Sequence, residues 1–376
     1  MSRKHLGSLD VHAFMRTYWQ RKPLLVRGAF ESFRDPLTPQ EVKRLAGRDE
    51  AQSRLIMGRA RKWSLEHGPI PASRFRQLPR RDWTVLVQDT NHFSREADRL
   101  LSHFDFIPHA RIDDVMVSYA VPGGSVGPHV DSYDVFLLQG RGRRRWQISE
   151  QRNRDFLPGM PLKILQRFEP TQEWVLEAGD MLYLPPGVAH HGVAETECLT
   201  WSIGFRAPSD AELATGFLDY LREALAPEGQ YADPGSVASS APGAIPSRLL
   251  SHAAQVLSRI RWSPAQVREF TGRYLTEPKA HVFFDPPPRP LTRARFAALG
   301  ARQGIALDPK SRFAFSGTIF FMNGEVQDLP AAARRAARRL ADRRRLDAPV
   351  DAPQAFWEQA HRWYQEGFVS LQGGDA

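Results

Sequence analysis

Between residues 115 and 205 short apolar runs are punctuated by glycine and proline, and no ten-residue helical pattern separates them. DDVMVSYAV, YDVFLLQG, RRRWQIS, EWVLEAGDMLYLPPG and ECLTWSIGF are rich in Val, Ile, Leu and aromatics, as strands joined by turns require. Without ten-residue helical patterns between them, such strands are not wound into βαβ units. The pattern predicts an antiparallel sandwich or barrel. WTVLVQ, from residue 83, is the first run of this texture.

Helical patterns flank this region. LDVHAFMRTYWQ carries apolar residues at helical spacing, and Thr38-Pro39-Gln40-Glu41 is a capping box with Pro at the first helical position. After Pro208 a second capping box, Ser209-Asp210-Ala211-Glu212, opens a helix to about Leu225. Residues 227–247 are rich in Pro, Gly, Ser and Ala and read as a loop. A helix follows from Arg248, and Ser263-Pro264-Ala265-Gln266 starts another. These helices follow a complete barrel and need a partner surface for their apolar stripes. The run Pro286-Pro287-Pro288-Arg289-Pro290 is a stiff break. Beyond it, LTRARFAALG reads as a helix closed by Gly300, FAFSG and TIFFMNGEVQD as a hairpin turning at Asn323-Gly324, and LPAAARRAARRLADRRRL as an Ala/Arg helix. A last helix carries Trp357 and Trp363, and GFVSL is a closing strand. The expected division is 1–207 around a barrel core at 111–206, a helical block at 208–285, and a winged-helix-like domain at 286–376.

The formal net charge is +9, with 44 Arg against 7 Lys. Guanidinium groups pair bidentately with phosphate, so the excess fits a nucleic-acid-containing partner without naming one. The helix bearing Arg334, Arg335, Arg338, Arg339, Arg343, Arg344 and Arg345 is the place for such a contact, unless it is simply a solvated face with Ala and Leu turned inward. The single cysteine, Cys198, excludes an intrachain disulfide and a cysteine-based zinc site, and reads as a small core residue. No run approaches the ~18 apolar residues of a membrane helix, and MSRKHLGSLDVHAF lacks the apolar centre of a secretory leader. The expected location is the cytoplasm.

The chemistry concentrates at 122–148, PGGSVGPHVDSYDVFLLQGRGRRRWQI. His129 and Asp131 stand two apart at the start of a strand, so both point to one face. His190 and His191 follow the turn Pro185-Pro186-Gly187 on another strand of the region. Two histidines and one carboxylate on one face form the facial triad of non-haem Fe(II) oxygenases. Asp134 competes as the carboxylate but has the wrong parity. In RGRRRWQI, Arg144 is in phase with Trp146 and Ile148, whereas Arg143 and Arg145 face the other way. A guanidinium among buried apolar residues needs an anion, either an internal carboxylate or a dicarboxylate co-substrate. His92, His103 and His109 read as packing or surface residues.

His129-x-Asp131, Arg144 in GRGRRRW, and AGDMLYLPPGVAH followed by SIGFRAP resemble the JmjC branch of the 2-oxoglutarate-dependent oxygenases. Within it they resemble the bacterial ribosomal oxygenases, the family of the arginine hydroxylase of large-subunit ribosomal protein L16. YWQRKPLLVRGAF and RIDDVMVSYAVPGG fit the same group. The resemblance implies an α+β chain: a double-stranded β-helix (JmjC/cupin jelly roll), a helical dimerisation block, and a winged-helix-like C-terminal domain. It implies Fe(II) held by His129, Asp131 and His190, with 2-oxoglutarate and O2 as co-substrates. Arg144 would take the distal carboxylate of 2-oxoglutarate, and Ser118 would help bind it. His190 is preferred to His191 as the first His after PPG. Ala189 and His191 flank it where the family pattern has Pro and an acidic residue, so His191 is a competing ligand or an orienting neighbour. The implied activity is hydroxylation of a ribosomal protein, at the β carbon of an arginine, by a homodimer. Asp113, Asp114 and Ser202 are candidates for meeting the cationic target. The alternatives are a same-fold oxygenase acting on methyl-lysine or RNA, and a nucleic-acid-binding protein with an inactive barrel.

Overall fold

The computed structural model describes residues 6, 7, 9–59, 62–225 and 228–373. Their contacts group the chain into two compact units. One comprises Met1–Ala207, Pro278–Arg312 and Pro330–Ala376, and the other Pro208–Glu277 with Phe313–Leu329.

In the first unit the strands are β1 (Leu24–Val26), β2 (Ser53–Arg59), β3 (Lys62–His67), β4 (Trp83–Val87), β5 (Ile112–Ala120), β6 (His129–Val130), β7 (Asp134–Gln139), β8 (Arg144–Ser149), β9 (Gln172–Leu176), β10 (Met181–Leu184), β11 (Ala189–Ala194) and β12 (Cys198–Phe205). One sheet has the order β1-β10-β7-β12-β5-β4-β2-β3, and a second the order β6-β11-β8-β9. Every pairing is antiparallel. The run EWVLEAGDMLYLPPG, a single β stretch by composition, divides at Gly179 into β9 and β10 of different sheets.

β7 shows why the strands read as continuous apolar runs. Phe136 and Leu138 enter the main core on one face, while Val135 and Leu137 meet Trp146, Ile148 and Leu182 on the other. Both faces are covered, so alternation with polar residues is lost. Helices α1 (Val11–Thr17), α2 (Pro39–Leu45), α3 (Ala72–Arg76) and α4 (Arg95–Leu101) belong to this unit. Phe14 of α1 is fully buried, with its ring edge-on to Tyr183 at 5.1 Å. The capping box at Thr38 and Glu41 forms as the spacing predicts.

The second unit holds α5 (Asp210–Ala224), α6 (Ser247–Ser258) and α7 (Pro264–Thr276). With them is the meander β14 (Phe313–Ser316), β15 (Ile319–Met322), β16 (Glu325–Gln327). Its second turn is Asn323-Gly324, both at positive φ as a tight hairpin demands. The remaining elements, α8 (Arg293–Gln303), β13 (Gly304–Leu307), α9 (Arg334–Arg343), β17 (Arg345–Asp347), α10 (Gln354–Gln365) and β18 (Val369–Leu371), group with the first unit. Gly300 does not close α8. The helix runs on to Gln303 and stops at Gly304, while Gly300 lies against Trp357, where a Cβ would come within 2.6 Å of the indole.

Candidate active site

β6 and β11 are neighbours, and their register sets His129 directly opposite His190. Directly opposed residues share a face. Asp131 follows on that face by the period of two, and the Gly187 amide donates to the Asp131 carbonyl at 2.8 Å. Gly187 has φ +83, a conformation that leaves glycine as the easy residue in the Pro-Pro-Gly turn. His129, Asp131 and His190 therefore converge, each offering one ligand atom within 4.8 Å of the others. Asp131 Oδ1 lies 3.8 Å from His129 Nε2, and Oδ2 lies 3.5 Å from His190 Nε2. These separations suit three ligands bonded to one ion at about 2 Å. Each histidine turns Nδ1 to a backbone carbonyl at 2.9 Å, His129 to Gly127 and His190 to Val188. Such an Nδ1–H bond leaves the Nε2 lone pair for a metal. Burial, reinforced by His129, pushes the His190 imidazole down to about 4, so it is neutral at ordinary pH.

The neighbouring residues separate by parity. His191 pairs with Gln147, on the side away from His190, and sets its ring edge-on to Phe168 at 5.9 Å. Asp134 is buried elsewhere, accepting from Tyr183 Oη at 2.6 Å, Gln20 Nε2 at 2.9 Å and Arg111 Nη2 at 3.2 Å. Neither lines the cavity.

That cavity has a volume of about 580 Å³. His129, Asp131 and His190 stand in one wall, and Ser118, Arg144 and Trp146 in another part of it. Arg144 is 6% exposed. Its Nη1 donates to Ser118 Oγ at 3.2 Å, its guanidinium lies 5.6 Å from the Trp146 ring, and it forms no ion pair among the described residues. Arg144 Nε and Trp146 Nε1 are buried donors without acceptors. An unpaired buried guanidinium beside a triad with an open face is a receptor for a carboxylate. Arg145 instead bonds Glu173 and Glu195, and Arg143 pairs with Glu195 at 3.6 Å, as their opposite facing predicts.

Ser202 lines the cavity, but Asp113 and Asp114 do not. They surround Lys279, at 3.3 and 3.9 Å, together with Asp89 at 2.8 Å. His92, His103 and His109 are also outside it. Sequence reasoning missed Arg54, Gln88, Tyr133 and Lys163 in the walls. Tyr133 was accessible to it: the period of two that links His129 to Asp131 continues to Tyr133, Val135 and Leu137, all of which face the cavity.

Residues 99–213 match the JmjC domain, and residues 259–369 match the ROXA-like winged helix. The ribosomal protein uL16 3-hydroxylase of Escherichia coli is 34% identical over 278 residues, 74% of this chain and 74% of that protein. The chain belongs to the JmjC ribosomal oxygenases. A probable ribosomal oxygenase of Haemophilus influenzae is 40% identical over 207 residues, 54% of this chain and 51% of that one. The structure of the E. coli ribosomal oxygenase YcfD in complex with cobalt and 2-oxoglutarate superimposes with a TM-score of 0.82 at 30% identity, covering 97% of this chain and 99% of that one. This ribosomal oxygenase is thus a jelly-roll enzyme of the Fe(II)- and 2-oxoglutarate-dependent class, and the inactive-barrel alternative is set aside. No helix among its described residues is long and apolar enough to cross a membrane.

Proposed function

We propose that the chain hydroxylates ribosomal protein uL16 at the β carbon of an arginine, with Fe(II) held by His129, Asp131 and His190. The observation that carries the reading is Arg144, a buried cation with no carboxylate partner among the described residues, lining the cavity that holds the His–Asp–His cluster. Bound Fe(II) supplies O2 activation, coupling oxidation of a substrate C–H bond to decarboxylation of 2-oxoglutarate. The chain's residues bind and orient. Arg144 takes the distal carboxylate of 2-oxoglutarate through its fork, and Ser118 Oγ fixes the guanidinium. Trp146, 5.9 Å from the His190 ring, shields that side from water. Anaerobic incubation with Fe(II), 2-oxoglutarate and uL16, followed by oxygen, tests the proposal. Intact mass should rise by one oxygen atom, with the site mapped to an arginine; no gain on uL16 would refute the substrate.

The working form is a cytoplasmic homodimer assembled through the helical block. Support comes from α6, whose stripe includes Leu249, Leu250 and Leu257 and which buries no residue. In this reading the helical block spans 208–285 and the winged-helix-like domain 286–376. Contact of α9 with ribosomal RNA is part of the same proposal: Ala336, Ala337, Leu340 and Ala341 pack inward, leaving Arg335 and Arg343 outward. Arg344 is committed to the carbonyls of Ser311 and Pro309.

A further inference from the structure

We propose that Arg54 is a second anion-recognising residue of the cavity, taking a carboxylate carried by the protein substrate. The inference rests on the oxygenase reading above and deepens it.

Arg54 lies on β2, opposite His67 of β3 and Leu86 of β4; Leu86 in turn faces Ser118 of β5. This row of four side chains, His67, Arg54, Leu86 and Ser118, lines one cavity wall. Strands lie ~4.8 Å apart, so Arg54 starts about 10 Å along the wall from Ser118. A 2-oxoglutarate held by Arg144 and the His–Asp–His cluster would have both its ends engaged and would leave Arg54 free. Arg54 Nε is buried and has no acceptor, and its guanidinium makes no hydrogen bond or ion pair among the described residues. Among the described residues the walls carry a single carboxylate, Asp131, which belongs to the metal cluster. Arg144 and Lys163 add positive charge to the same walls. The missing anion therefore arrives with a ligand. Nε and an Nη of one guanidinium present two parallel donors, the fit for a side-chain carboxylate. Arg54 sits on β2, next to the edge strand β3 and two strands away from Ser118 on β5, and so apart from the residues that would hold the co-substrate.

The test uses the full chain with Fe(II) and 2-oxoglutarate, and uL16 as the probe. Anaerobic uL16 binding and initial rates are compared for wild type, Arg54→Gln and Arg54→Lys. Each is measured against uL16 variants in which single Asp or Glu residues near the oxidised site become Asn or Gln. Arg54→Gln should raise the apparent KM for uL16 about tenfold or more while the KM for 2-oxoglutarate changes by less than about twofold. One acid-to-amide uL16 variant should show the same loss with wild type and no further loss with Arg54→Gln, and Arg54→Lys should recover part of it. A rise in the 2-oxoglutarate KM, additive losses in the paired variants, or no discriminating acid in uL16 would overturn the assignment. Consumption of 2-oxoglutarate without protein substrate separates the two readings. If it persists while wild type does not bind uL16, the substrate and the Arg54 assignment fall together. If 2-oxoglutarate is consumed neither with nor without uL16 while the binding losses appear as described, the oxygenase reading fails and Arg54 stands.

Discussion

Arg144 and its two neighbours show how far one side chain's phase decides its role. Three consecutive arginines differ only in parity, yet Arg143 and Arg145 find glutamates at the surface and Arg144 finds none inside. Arg144→Lys keeps the charge and removes the fork. The apparent KM for 2-oxoglutarate should rise tenfold or more, since a charge-assisted bond contributes ~1.5–3 kcal/mol. Arg143→Lys and Arg145→Lys should be near neutral, because exposed pairs contribute ~0–1 kcal/mol. Initial rates against 2-oxoglutarate concentration for the three variants check this; a defect in Arg145→Lys alone would contradict the assignment. The same parity separates the adjacent histidines. His190→Ala should lose iron by metal analysis and lose turnover, whereas His191→Ala, whose ring sits against Phe168, should retain iron and part of its activity. Iron lost in the second variant and kept in the first would move the ligand by one residue. The shared face of His129 and Asp131 and the inward phase of Arg144 were legible because period two needs no tertiary information. Choosing between His190 and His191 needed either the family pattern or the β6–β11 register.

At the scale of elements, the central strands of the barrel and the capping boxes at Thr38 and Ser209 formed as read, while the β2–β3 hairpin and β13 were missed, and β17 begins in a run read as helix. β3 is an edge strand whose residues are exposed or half-buried, and KWSLEH lacks the aliphatic density that marked the central strands. With the hairpin went one cavity wall, and Arg54 with it. The packing of β8 on β11 makes a further test. Gly192 lies opposite Trp146, and a Cβ there would stand 2.7 Å from the indole ring. Gly192→Ala should displace Trp146 toward the cavity, destabilise by about 1–3 kcal/mol and weaken 2-oxoglutarate binding. Denaturant midpoints and the co-substrate KM read both effects; an unchanged KM would show that the indole does not move inward. The Lys279 cluster carries a pH signature. Burial raises the Asp114 carboxyl from the ordinary 3.8 to about 7, and Lys279 opposes that rise. A folded-state value above the unfolded one means that the folded chain holds the extra proton, so this stability is present at low pH and is lost as pH rises through 7. Lys279→Met removes the cation shared by Asp89, Asp113 and Asp114. Breaking a buried pair costs ~3–5 kcal/mol, and this partly exposed lysine belongs at the lower end. Melting temperature should fall most at alkaline pH and recover on acidification toward about pH 5, because the freed carboxylates then protonate. A loss independent of pH would place the lysine's contribution in packing.

For the whole molecule, the decisive surface is the helical block. α6 buries no residue, and Leu250, Leu257 and Trp262 are more than half exposed. Leu250→Glu with Leu257→Glu should convert a dimer to a monomer by light scattering; wild type running as a monomer would end the dimer proposal. The two sheets of the first unit also answer to different demands. His129, His190, Arg144 and Trp146 sit on the four-stranded sheet, whereas Arg54 and His67 sit on a hairpin that meets the rest of its sheet through β4. Exchanging two or three side chains on that hairpin would redraw the rim of the cavity without disturbing the register that opposes His129 to His190. Descendants of such a scaffold can therefore drift toward new targets by rewriting one peripheral ribbon while inheriting the reaction centre intact.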